Sequence, residues 1–154
     1  MTDEEKVVRR LIEKGWHIAF AESCTAGLCA SRLVNVPDAS RVLDVSFVTY
    51  ANDAKIKYLG VSQESIEKYG VVSEQVAQEM ARGVAYAAGA QVGVGVSGIA
   101  GPGGGKPQKP VGTVCFGFYI DGEVYTFTEH FGPLGRNAVR EKSCDFVYEF
   151  LKKQ

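Results

Sequence analysis

Long apolar runs, paired cysteine motifs and an excess of charge of either sign are all missing from this sequence. No hydrophobic stretch approaches the roughly 20 residues a bilayer-spanning helix needs, and Met1 to Lys6 is acidic and polar, unlike an export signal. A soluble cytoplasmic protein with no membrane partner is expected. The 17 Lys and Arg against 18 Asp and Glu leave a net charge of −1, which excludes the broad basic field of a general nucleic-acid binder. Cys24, Cys29, Cys115 and Cys144 form no C-x-x-C pair, so a zinc knuckle and a thioredoxin motif are not indicated, and free thiols are expected in a reducing compartment. No cluster of His, Cys and carboxylate at metal-ligand spacing is legible, and neither metal nor cofactor is expected.

Histidine is scarce. His17 lies near the beginning of a strand-like run and His130 near the end of another, which makes a Ser-His-Asp triad a poor reading. No G-x-S-x-G elbow exists. A P-loop also fails, because Ala100 stands where its first glycine belongs and Pro107 follows Lys106. Gly93, Gly95 and Gly98 do satisfy G-x-G-x-x-G, but the first two fall inside a strand-like run, so the match is weak for a dinucleotide site.

What is present is ordinary globular composition, 45% hydrophobic and 23% charged over 154 residues, enough for one domain with a sizeable core. Thr2 to Lys14 reads as an amphipathic helix with an N-cap, three acids in its first turn and Gly15 after it. Trp16 to Ala21 suits a buried strand, followed by a helix to about Asn35, stopped before Pro37. Arg41 to Ala51, rich in β-branched and aromatic residues, reads as a second strand, and Asn52 as the cap of a short helix ending at Gly60. Ser62 and Ser73 cap two more helices, the second carrying Val76, Met80 and Val84 at intervals of four. Gln91 to Ser97 is a third strand. Val111 to Ile120 and Glu123 to Phe131 form a hairpin about Asp121-Gly122, and a helix runs from about Arg136 to Lys152.

This order predicts an α/β fold: a three-layer α/β/α sandwich around a mixed, mostly parallel sheet of five or six strands with one antiparallel hairpin. Ligands in such sheets favour the carboxyl ends of strands. Three polar clusters fall there: Glu22-Ser23-Cys24-Thr25, Thr49-Tyr50-Ala51-Asn52, and Ser97 with the loop to Pro110. Ser23 at a strand-to-helix turn would stand beside unpaired helix-start amides, as a nucleophile with an oxyanion hole or as a simple helix cap. With histidine unhelpful, the remaining common base is Lys55. A lysine must be shifted down by roughly 3 units to work at neutral pH, which burial can do, although Lys55 and Lys57 could equally lie on a solvated face. Successive glycines let backbone amides approach an anion closely, and Arg136 and Arg140, spaced by four, could clamp a phosphate or do nothing specific.

The strings AESCTAG (Ala21 to Gly27), FVTYANDAK (Phe47 to Lys55), GVVSE (Gly70 to Glu74), SGIAGPGGG (Ser97 to Gly105), KPVGTV (Lys109 to Val114) and GRNAVR (Gly135 to Arg140) resemble, in order and spacing, the CinA carboxy-terminal domain family. The resemblance spans nearly the whole chain. It implies hydrolysis of the carboxamide of nicotinamide mononucleotide, with Ser23 as nucleophile, Lys55 as base and Tyr50 assisting or relaying the proton. Candidates around the substrate are Glu22 for the ribose or pyridinium, Cys24 and Thr25 for the oxyanion, and Thr49, Asn52, Ser97 and Gly98 for the pocket wall. For the phosphate they are Gly101, Gly103, Gly104, Arg136 and Arg140. The expected partner is a small nucleotide, and because relatives commonly associate, a homo-oligomer of two or more copies is expected. A nucleotide-binding module without turnover, and an amidohydrolase for another small carboxamide, remain open readings.

Overall fold

The computed structural model describes residues 1–154. Helix α1 (Asp3–Lys14) starts at a capping box in which Thr2 and Glu5 satisfy each other's backbone amides, and it ends on the left-handed Gly15. Strand β1 (Ile18–Glu22) is buried throughout and leads through a turn into α2 (Leu28–Val34). After a short 3-10 turn at Ala39–Arg41 come β2 (Phe47–Val48), α3 (Asn52–Leu59), α4 (Gln63–Tyr69) and α5 (Glu74–Ala88). Strands β3 (Val92–Gly98), β4 (Thr113–Ile120) and β5 (Glu123–His130) precede α6 (Arg136–Leu151).

The strands form one sheet in the order β2-β1-β3-β4-β5. β1 pairs in parallel with β2 and β3, while β4 runs antiparallel to both its neighbours. It is thus the one strand of reversed direction in a mixed sheet, and the hairpin turn carries positive φ at Asp121 and Gly122 as a type I′ turn demands. Period-2 alternation divides the side chains between two layers. Ile18, Phe20, Val92, Val94 and Val96 join α1, α2 and α6 in the larger core, and Ala19 and Ala21 join residues of α5 and the end of α3 in a smaller one.

The glycines of the apparent dinucleotide motif have a packing role. A Cβ at Gly93 would meet the Ala81 carbonyl of α5, and one at Gly95 or Gly117 would meet that of Ala77, all closer than atoms can approach. Their absence lets α5 lie directly on the sheet.

Two expectations change. The second strand is two residues long, not eleven, because Val42 turns into the core and the segment before Phe47 serves β1 irregularly. The Ile18 amide donates to Val42 O and the Phe20 amide to the Ser46 hydroxyl, which stands in for a ladder carbonyl. Asn52 is not a cap but the first helical residue after Ala51, with no side-chain cap bond. No helix is long and apolar enough to cross a membrane.

Candidate active site

The ends of β1, β2 and β3 converge at one rim of the sheet. The ladder continues past β1 and β2, with Ser23 N donating to Val96 O and Thr49 N to Glu22 O. This register sets Ser23, Thr49 and Ser97 side by side on the face that carries α3 and α5. Lys55, on the first turn of α3, reaches under them: its Nζ lies 3.1 Å from Ser23 Oγ, 2.7 Å from Thr49 O and 3.2 Å from Tyr50 O. The side chain is fully buried, and no carboxylate pairs with it.

Burial disfavours the ammonium form and lowers the Lys55 pKa from 10.5 to about 8. The three oxygens can all accept from the ammonium, and they also suit the neutral amine. Its two N–H groups can donate to the Thr49 and Tyr50 carbonyls, which leaves the lone pair facing the Ser23 hydroxyl. A serine whose proton is accepted in this way is an activated nucleophile. Cys24, the adjacent residue, is no rival: burial holds its thiol up at about 12.

The turn from Ser23 to Gly27 supplies the second element of such chemistry. Ala26 adopts φ 47° and Gly27 φ 93°, and the turn is closed by Ala26 N donating to Ser23 O. The amides of Cys24 and Thr25 donate to nothing, as expected of oxyanion-binding groups. They are turn amides rather than helix-start amides, because α2 begins only at Leu28.

Tyr50 does not touch the dyad through its phenol. Its hydroxyl accepts from Arg136 Nη2 at 2.9 Å, and the same guanidinium donates through Nη1 to Gly101 O at 2.6 Å. Arg136 therefore straps the glycine loop and the β2–α3 corner to the start of α6. The direct Ser23–Lys55 contact leaves a Tyr50 relay without a geometric basis. Arg140 is also committed to protein, with Nε on Cys24 O at 2.9 Å and Nη2 on Thr25 O at 3.0 Å, which removes it from a phosphate clamp.

Glu22 corrects another expectation. Its carboxylate points to the opposite face of the sheet from Ser23, buried, and accepts from Cys29 N and Ala30 N. It caps α2, whose own N-cap Gly27 has no side chain, and is not available to a ribose or ring. The Ser97 hydroxyl is spent on Val71 O, and Gly98 lies tight against Thr113 and Val114. The hydroxyls of Thr25 and Thr49 are buried without partners, while Asn52, Gly103 and Gly104 are exposed at the rim and Gly101 is buried beneath Arg136.

One grouping escaped the sequence. Glu22, Cys29 and Cys144 bring a carboxylate and two thiols within 4.8 Å, from positions far apart in the chain. Two thiolates on a tetrahedral zinc would stand about 3.7 Å apart. Here the sulfurs are 2.9 Å apart, both Glu22 oxygens hold backbone amides, and burial pushes the Cys29 thiol up, so the geometry is that of a hydrogen-bonded core cluster.

Comparison with known proteins identifies the family and the fold. The model of the CinA C-terminal domain matches residues 2–154. The chain belongs to the CinA C-terminal domain family. It is 51% identical over 145 residues to the nicotinamide-nucleotide amidohydrolase PncC of Enterobacter agglomerans, covering 90% of this chain and 88% of that protein. A CinA-like protein of Kosmotoga olearia is 44% identical over 150 residues, and the chain spans only 36% of its length. Among solved structures, the competence/damage inducible protein CihA of Agrobacterium tumefaciens superposes with a TM-score of 0.91 at 40% identity, covering 100% of this chain and 98% of that one. A CinA superfamily protein of Escherichia coli gives a TM-score of 0.92 at 38% identity, covering 99% and 91%. The five-stranded mixed sheet described above is thus the CinA-superfamily fold.

Proposed function

We propose that this chain hydrolyses the carboxamide of nicotinamide mononucleotide, releasing ammonia and the nicotinate nucleotide. The observation that carries the reading is the contact of 3.1 Å between Ser23 Oγ and a buried Lys55 whose remaining donors are held by two carbonyls. The name of the Enterobacter relative, a nicotinamide-nucleotide amidohydrolase, supports the substrate. In the proposed sequence, neutral Lys55 takes the Ser23 proton as the hydroxyl oxygen attacks the carboxamide carbon. The Cys24 and Thr25 amides receive the oxyanion. Protonated Lys55 then gives its proton to the departing amine, ammonia leaves, and water repeats the attack on the acyl-enzyme. Arg136, the Tyr50 hydroxyl and the exposed glycines Gly103 and Gly104 line the rim where a ribose phosphate would lie.

The test is ammonia release from nicotinamide mononucleotide by the wild-type chain and by Ser23→Ala and Lys55→Ala. Each substitution is expected to lower kcat by about 1,000-fold or more with the fold retained by circular dichroism. Full turnover in either variant rejects the dyad. Nucleotide binding without ammonia from the wild type would leave a non-catalytic binding module, and turnover of free nicotinamide alone would point to a different amide.

A further inference from the structure

We propose that Arg140 is a positioning residue that orients the two amides of the oxyanion site, a role that rests on the amidohydrolase reading and gives Arg140 a different task from binding phosphate. The guanidinium is half-buried on α6 and its fork grips two successive carbonyls, Cys24 O and Thr25 O. Every peptide bond in this turn is trans, so each carbonyl and the amide that follows it point in opposite directions. Holding Cys24 O therefore fixes the Thr25 amide on the side away from Arg140.

Holding Thr25 O fixes the Ala26 amide in the same way, and that amide donates to Ser23 O. Ser23 O in turn fixes the Cys24 amide. Arg140 thus holds the first unpaired donor directly and contributes to the second through Ala26, sharing Thr25 O with the Leu28 amide that also donates to it. A cation on the carbonyl end of a peptide also polarises it and makes its N–H a better donor. Lysine cannot reproduce this, because a single ammonium lacks the planar fork that spans two oxygens.

The experiment compares wild type, Arg140→Ala and Arg140→Lys on nicotinamide mononucleotide and on nicotinamide riboside, which lacks the phosphate. The expected result is a fall in kcat of about 100-fold for Arg140→Ala, by the same factor on both substrates, with KM changed less than about threefold. Arg140→Lys should recover only part of the loss, and added guanidinium should restore part of the activity of Arg140→Ala. A loss confined to the phosphorylated substrate, or carried by KM, overturns the proposal in favour of a phosphate clamp.

Should the wild type turn over neither substrate, the amidohydrolase reading falls while the positioning claim is still read by a fluorophosphonate probe. There the Ser23 Oγ–P bond forms as the P–F bond breaks, and the serine proton passes to Lys55. Labelling slowed about tenfold or more in Arg140→Lys, a variant that keeps the charge and much of the packing, with an unchanged pH midpoint, supports the assignment. Equal labelling rates, or a shifted midpoint, overturn it.

Discussion

Lys55 has a chemical environment that accommodates both of its protonation states. A protonated amine needs three acceptors and a neutral one needs two acceptors and a donor; the Thr49 and Tyr50 carbonyls with the Ser23 hydroxyl, which both accepts and donates, meet either requirement, and it is burial that favours the neutral form. Because the lysine is held at about pKa 8, kcat/KM for the amide should climb with pH and level off above about 8, a rising limb measurable from pH 6 to 9.5. Lys55→Arg preserves the charge on a somewhat longer side chain but titrates too high to accept a proton, so it should be inactive across that range. Activity of the arginine variant near neutral pH would remove Lys55 as the base. Ser23 stood out in the sequence because it lies in a polar cluster after an apolar run, and Lys55 as the base left once histidine is set aside; the pairing of the two came from the family resemblance. The destinations of Glu22 and Arg140 were not legible. A carboxylate that caps a helix seven residues on, and a guanidinium that grips carbonyls 116 and 115 residues away, depend on the packing of α2 and α6 and leave no spacing to read.

At the scale of elements, the site depends on how closely α5 sits on the sheet. Gly93, Gly95 and Gly117 present no side chain to it, and Gly83 of α5 does the same for the end of α3, where a Cβ would strike the Leu59 carbonyl. Gly95→Ala should therefore push α5 from β3, since the obstacle is backbone and cannot swing aside. A loss of about 3 kcal/mol or more by denaturant unfolding is expected, against less than about 1 kcal/mol for the exposed Gly103→Ala, which meets nothing. Equal stability of the two variants would show that α5 is free to shift. The helices and the hairpin were visible from caps and periodicity, while the length of β2 was not. A run of β-branched residues reads as strand whether its amides pair in a ladder or, as here, its neighbour bonds to a serine hydroxyl instead.

For the molecule as a whole, the base of the site is also a burden on the fold, and activity and stability both rise with pH as this group gives up its proton. Lys55 titrates near 10.5 when the chain is unfolded and at about 8 when folded. Below pH 8 both states carry the proton, and the native state bears the full cost of an enclosed ammonium. Between about 8 and 10.5 the unfolded chain binds more protons than the native one, so this group makes stability rise with pH; above that window both are neutral and the gain is complete. The shift corresponds to about 3 kcal/mol. Lys55→Met, which keeps the buried stem without the amine, removes this dependence. The stability difference, wild type minus variant, should move in favour of the wild type by about 2–3 kcal/mol between pH 7 and 10.5 in urea unfolding, with the other titrating groups cancelling between the two proteins. A difference that stays flat over that range would mean Lys55 keeps an ordinary ammonium pKa in the fold, and the same titration then could not underlie the rising limb of activity.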